Sequence, residues 1–217
     1  MPASKQRVGE TRRTRGRPKL EDAAAIEQKL LAVALRVFIS HGYGATSMTS
    51  IVRDASISKT TLYSRFASKA DLFHAIMREQ IERLSVAALL RGNTQRVDLV
   101  RGLRSYANRA LEISLTGDFL EVNRLIYSES HRFPELGAAA AERTQTGIAQ
   151  IADFIRECAV ADGIPCRDPG AIAEAFIHMM RGWYVNVMLT NEKVPHPVRE
   201  AWVERAVHVL IAGRTQW

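Results

Sequence analysis

Apolar side chains recur at helical spacing along most of this chain, and no segment alternates with period two for long enough to predict a strand. From Ala23 to Ser40 the positions Ile26, Leu30, Val33, Ala34, Val37 and Phe38 form one stripe, and Gly42 with Gly44 supplies a stop. Ser47 is placed to cap a short second helix, with Met48, Ile51, Val52 and Ala55 on one face and Thr49, Ser50 and Arg53 on the other. After a brief turn at Ser56 and Ile57, Ser58 caps a third helix in which only Leu62 and Phe66 are clearly apolar. Lys59, Thr60, Thr61, Tyr63 and Ser64 are left for its outside. Ser68 and Asp71 have the capping-box spacing and open a fourth helix, with Leu72, Phe73, Ile76 and Met77 inward, that runs to about Leu90.

Beyond Gly92 the pattern stays helical. Breaks at Gly117, Pro134, 162–169 and 195–197 predict helices near 97–116, 118–131, 134–161, 170–190 and 197–212, with no internal repeat. The expected fold class is all-α, with three short helices and a long one followed by a larger helical body. The division this suggests is an arm at 1–19, a head at 20–80 and a body at 81–217.

Charge sharpens that division. Residues 1–80 hold 14 Lys and Arg against 7 Asp and Glu, whereas 81–217 hold 16 of each, so the net charge of +7 resides in the first third. A basic head on a neutral body suits a polyanion, either a phosphate backbone or an anionic membrane surface. No stretch is apolar enough to span a bilayer, which takes about 18 residues or more, and no hydrophobic segment follows the basic N-terminus, so a cytoplasmic location is expected. Cys158 and Cys166 make no disulfide framework and fit no usual zinc spacing; they read as buried, inert thiols, with a redox sensor as the alternative. The six histidines include no pair at i and i+3 or i+4, and no phosphate loop or nucleophile elbow appears. No catalytic centre, metal or cofactor is therefore expected.

The segment Met48–Phe66 combines two short amphipathic helices, a tight turn and a second helix whose outer face is small, hydroxylated or basic. Those are properties that suit a helix entering a major groove. The run GYGATSMTSIVRDASISKTTLYSRFASKADLF, Gly42 to Phe73, resembles the N-terminal domain of the tetracycline-repressor (TetR) family of bacterial regulators. Thr61, Leu62, Tyr63 and Phe66, then Ser68, Lys69 and Leu72, carry most of the likeness. Ser56 departs from it, standing where the family usually has glycine in the turn. The resemblance implies that Lys59, Thr60 and Thr61 face the bases and groove, with Ser64 on the same outer side, and that Ser47, Thr49, Tyr63 and Lys69 contact phosphates. It also implies a homodimer on palindromic operator DNA, a small-molecule effector and repression as the usual mode. Ahead of this region RGRPK resembles an AT-hook, a minor-groove ligand in which Arg13, Arg15, Gly16 and Arg17 would lie along A·T-rich DNA.

The segment Phe119–Leu136, with Arg124, Glu129, Arg132, Phe133 and Pro134, resembles the C-terminal domain of AefR-like regulators. For an effector pocket the mixture of aromatic and polar groups nominates Tyr106, Arg124, Tyr127, Phe154, Phe176, Met179 and Trp183, against the plainer reading of ordinary core. For a dimer interface the last two helices nominate Met180, Trp202, Ala206, Val209 and Leu210.

Overall fold

The structure, a computed structural model, describes residues 20–83 and 98–217. The expected arm at 1–19, with Arg13, Arg15, Gly16 and Arg17, and the run of the fourth helix toward Leu90 lie outside the described residues. Within them, all regular structure is helical.

Helix α1 (Leu20–His41) buries Leu30, Ala34, Val37 and Phe38 along one stripe. It stops at Gly42, whose φ of +78° only glycine adopts without strain and whose N–H donates to the Phe38 carbonyl at 2.9 Å. Helix α2 (Met48–Ala55) turns Met48, Ile51 and Ala55 inward, and α3 (Lys59–Tyr63) turns Leu62 inward. Helix α4 (Lys69–Arg83) opens on the expected cap: the Asp71 N–H donates to Ser68 Oγ at 3.0 Å, and that hydroxyl donates to the Asp71 carboxylate at 2.8 Å. Phe38, Tyr43 and Phe73 close the centre of this unit, with ring centroids 5.4–5.6 Å apart. Each such ring, when fully buried, contributes roughly 1.5–3 kcal/mol.

Helices α5 (Leu99–Ser114), α6 (Gly117–Glu129), α7 (Pro134–Asp162), α8 (Pro169–Thr190) and α9 (His196–Ala212) follow, with a short 3-10 turn at Arg214–Gln216. Their breaks fall where Gly117, Pro134, Gly163 and Pro195 interrupt the pattern. Leu103, Ile151, Ile155, Phe176, Val203 and Val207 form the centre of a second apolar cluster. The first cluster is not confined to residues 20–80, since Val122, Leu125, Leu136 and Ala139 of α6 and α7 pack into it. One apolar seam therefore joins α1 and α4 to the body.

Candidate functional site

The α2–α3 pair is shaped by its serines. Ser47 Oγ accepts from the Ser50 N–H at 3.1 Å while Ser50 Oγ accepts from the Ser47 N–H at 3.1 Å, a reciprocal cap that starts α2. Ser56 ends α2 in the left-handed region at φ 54°, the position where the family usually places glycine. Ser58 Oγ accepts from the Thr61 N–H at 3.0 Å and lies 2.8 Å from the Thr61 hydroxyl, and Ser64 Oγ donates to the Thr61 carbonyl at 3.0 Å.

Of the side chains nominated for DNA, Ser47, Thr61 and Ser64 are thus engaged with their own helices. Thr49, Lys59, Thr60 and Tyr63 stand exposed, their side chains with no polar partner among the described residues. Arg53 is the cation that the nomination missed. It is largely exposed beside them, with its Nε donating to Asp54 at 2.9 Å.

Lys69 departs from its expected place. Its ammonium is turned inward, donating to the Tyr43 carbonyl at 2.7 Å and the Thr46 carbonyl at 3.0 Å, and it lies 4.2 Å from the centre of the Tyr43 ring. Burial pushes its pKa down, against the pull of the Glu135 and Glu129 carboxylates. The same loop is held from the body: Glu129, at the end of α6, accepts from the Tyr43 N–H at 3.0 Å and the Gly44 N–H at 3.1 Å. Phe133 packs against Tyr43 with centroids 5.2 Å apart. The loop leading into α2 is fixed from both sides, by a cation on its carbonyls and a carboxylate on its amides. His74 of α4 and Glu142 of α7 make a further contact across the seam at 2.9 Å.

A cavity lies among α5, α6, α7 and α8. Its apolar wall is made by Ala110, Leu111, Ile113, Phe119, Ile177 and Met180. Its polar wall includes Tyr106, Asn123, Arg143, Thr144, Arg181 and Tyr184. The space between these atoms comes to about 650 Å³ including the part open to solvent, but the centres of water-sized molecules reach only about 80 Å³ of it. As folded it is a narrow cleft. Burial pushes the Tyr106 hydroxyl up to about 12, opposed by Arg143, and also raises Tyr184.

Of the seven residues nominated for a pocket, Tyr106 alone lines this cavity. Phe154 and Phe176 are ordinary core; Phe154 lies so close to Gly102 that a Cβ there would be 2.1 Å from its ring. Tyr127 is exposed and accepts from Arg181 Nε at 3.2 Å. Arg124 lines a second cavity, of about 430 Å³, with Leu120, Val187 and Asn191, donating to Glu121 at 2.8 Å and Asn191 at 2.9 Å. Met179 and Trp183 are half-buried on another face of α8, where Trp183 stacks on Trp202 with centroids 4.7 Å apart.

Two residues nominated for a dimer interface are placed inward: Met180 lines the cavity and Ala206 is buried. Val209 is exposed, with Trp202 and Leu210 half-buried. Cys158 and Cys166 are free thiols, one buried and one half-buried. No described helix is long and apolar enough to cross a membrane.

Comparison with known proteins agrees with this architecture. Residues 30–76 match the bacterial regulatory proteins of the tetR family, and residues 101–213 match the C-terminal domain of AefR-like transcriptional repressors. The HTH-type transcriptional repressor ComR of Escherichia coli is 36% identical over 74 residues, 34% of this chain and 33% of ComR. The HTH-type transcriptional activator FasR of Mycolicibacterium smegmatis is 38% identical over 56 residues, 26% of each chain. The aligned parts thus span a third or less of these two relatives. A crystal structure of a regulator classed in the TetR family, from Mesorhizobium loti, superposes with a TM-score of 0.70 at 23% identity, covering 88% of this chain and 96% of that one. With the C-terminal match alone spanning more than half of the 217 residues, the chain belongs to the TetR family of bacterial transcriptional regulators, with a C-terminal domain of the AefR-like type.

Proposed function

We propose that the chain acts as a homodimeric repressor that reads a palindromic operator through α2 and α3 and is released by a small molecule bound in the cavity among α5–α8. The observation that carries the reading is that Thr49, Lys59, Thr60 and Tyr63 of α2 and α3 are exposed with no side-chain polar partner among the described residues. Local hydrogen bonds engage the hydroxyls of Ser47, Ser50, Ser58, Thr61 and Ser64, which leaves these four, with Arg53 and Ser56, available to phosphates and base edges. A monomer of this size reads too few base pairs for genomic selectivity, which is why a symmetric dimer goes with the site. The exposed Val209 and Leu189 and the half-buried Trp183–Trp202 pair on α8 and α9 make those helices the candidate interface. Repression is favoured over activation by the family description that matches the body, although one relative is named an activator.

Release has a mechanical route. Helix α6 contributes Phe119 and Asn123 to the cavity and, less than two turns further on, the Glu129 carboxylate that holds the loop before α2. A ligand too large for the narrow cleft must spread its walls, and displacement of α6 is passed to α2 through that carboxylate. Such a ligand acts as an effector only by favouring the arrangement that binds DNA poorly. Linkage then requires operator to weaken effector binding by the factor with which effector weakens operator binding. Selection of bound genomic fragments, followed by a screen for compounds that release them, tests the reading. Equal affinity for selected and random fragments would overturn it.

A further inference from the structure

The second cavity, of about 430 Å³, lies between the end of α5, the first half of α6 and the turn that joins α8 to α9. Leu115, Leu120, Val187, Met188 and Val194 give it a hydrocarbon wall, and the charged residues of its lining are Arg124, Glu192, Lys193 and Arg199. Arg199 stands out among them. It sits in the first turn of α9 with 9% of its surface exposed, its Nε is enclosed without a hydrogen-bond partner, and its guanidinium makes no ion pair among the described residues. Arg124, by contrast, is engaged by Glu121 at 2.8 Å and Asn191 at 2.9 Å. An enclosed cation without a partner is costly, and an anion placed against it removes most of that cost. The balance of charge limits what that anion can be. Arg124, Lys193 and Arg199 stand against Glu192 of the lining and Glu121 beside it, which leaves one positive charge in excess. A phosphate monoester, with a charge of about −1.5 to −2 at pH 7, exceeds this, whereas one carboxylate matches it.

We propose that the second cavity binds a monocarboxylate with an apolar body, its carboxylate on the Arg199 guanidinium and its hydrocarbon against Leu120, Val187 and Met188. The planar guanidinium fork matches a carboxylate in geometry as well as in charge. The volume of about 430 Å³ falls within the roughly 300–1,000 Å³ of sites that enclose small organic ligands. This cavity shares no lining residue with the one among α5–α8. The proposal concerns binding alone, so it stands whether or not that other cavity holds an effector.

Calorimetric titration of the full chain with octanoate and with octanamide, which share a chain length and differ in charge, tests it. Octanoate is expected to bind at least about tenfold more tightly than octanamide, the effect of one charge-assisted contact. Arg199→Met keeps an unbranched side chain and removes the charge, so it should erase that preference, and Arg199→Lys should retain part of it. Without ligand, Arg199→Met should melt no lower than the wild type, because it removes an enclosed charge that has no partner in the chain. Val194→Trp, which puts bulk into the cavity and leaves Arg199 in place, should weaken octanoate binding. Equal binding of the two probes by the wild type overturns the proposal, as does a preference for octanoate that survives Arg199→Met or octanoate binding that Val194→Trp leaves unchanged. A marked fall in the melting temperature of Arg199→Met, or dissociation of a dimer in that variant, overturns it as well, by showing that the guanidinium serves a structural contact.

Discussion

Glu129 is a single side chain with two jobs, because its two carboxylate oxygens receive the amides of Tyr43 and Gly44 from a different part of the chain. Glu129→Gln leaves an N–H₂ group facing one of those amides, and loss of a partner for such a group costs about 1–3 kcal/mol. Urea denaturation should show a loss of that size, whereas an unchanged midpoint would mean that the loop is held elsewhere. Gly102 is as constrained for a steric reason: any Cβ there would meet the Phe154 ring at 2.1 Å. Gly102→Ala should destabilise by roughly 1–3 kcal/mol, the usual cost of overpacking a filled core. Little of this is visible in the sequence. Lys69 sits in a motif where a lysine reads as a phosphate contact, and what turns it inward is the pair of carbonyls that the loop at Tyr43 and Thr46 happens to aim at it. That aim is a tertiary fact with no local signature.

At the scale of helices, pattern and punctuation suffice. The stripe from Ile26 to Phe38 becomes α1, Ser47 and Ser58 cap α2 and α3, and Pro134 and Pro169 stand in the first turns of α7 and α8. What the pattern leaves open is which apolar face looks where. Helix α8 carries apolar groups on several sides, so Met180, facing the cavity, and Trp183, stacked on Trp202, look alike in sequence although the structure separates their roles. Arg143, in the polar stretch AERTQTG, is not among the residues nominated for a pocket, yet it lines the cavity. Ser56 gives this scale its own test. A residue other than glycine in the left-handed region costs about 1–2 kcal/mol, and glycine's extra freedom in the unfolded chain offsets about 0.4–1 kcal/mol of what its introduction would gain. Ser56→Gly should therefore raise stability by up to roughly 1.5 kcal/mol, and Ser56→Val should lower it. A thermal melt in which glycine lowers stability would contradict the turn geometry.

For the whole molecule the asymmetry of charge is the main clue, since the excess positive charge sits in residues 1–80 and includes the arginines of the arm. If Arg15 and Arg17 enter a narrow minor groove beside each half-site, deleting residues 1–19 should weaken binding to A·T-flanked operators more than to G·C-flanked ones. Equal losses at one fixed salt concentration would make the arm a general electrostatic tether. The seam through Glu129 and Phe133 links the head to the helices that line the cavity. Recognition of a palindromic operator is open to footprinting of a selected genomic fragment, with the wild type and with Thr60→Ala. Protection of two symmetric half-sites about one helical turn apart or slightly more is expected, lost in the variant while binding to random DNA is retained. A single asymmetric footprint, or one that Thr60→Ala leaves intact, would contradict it.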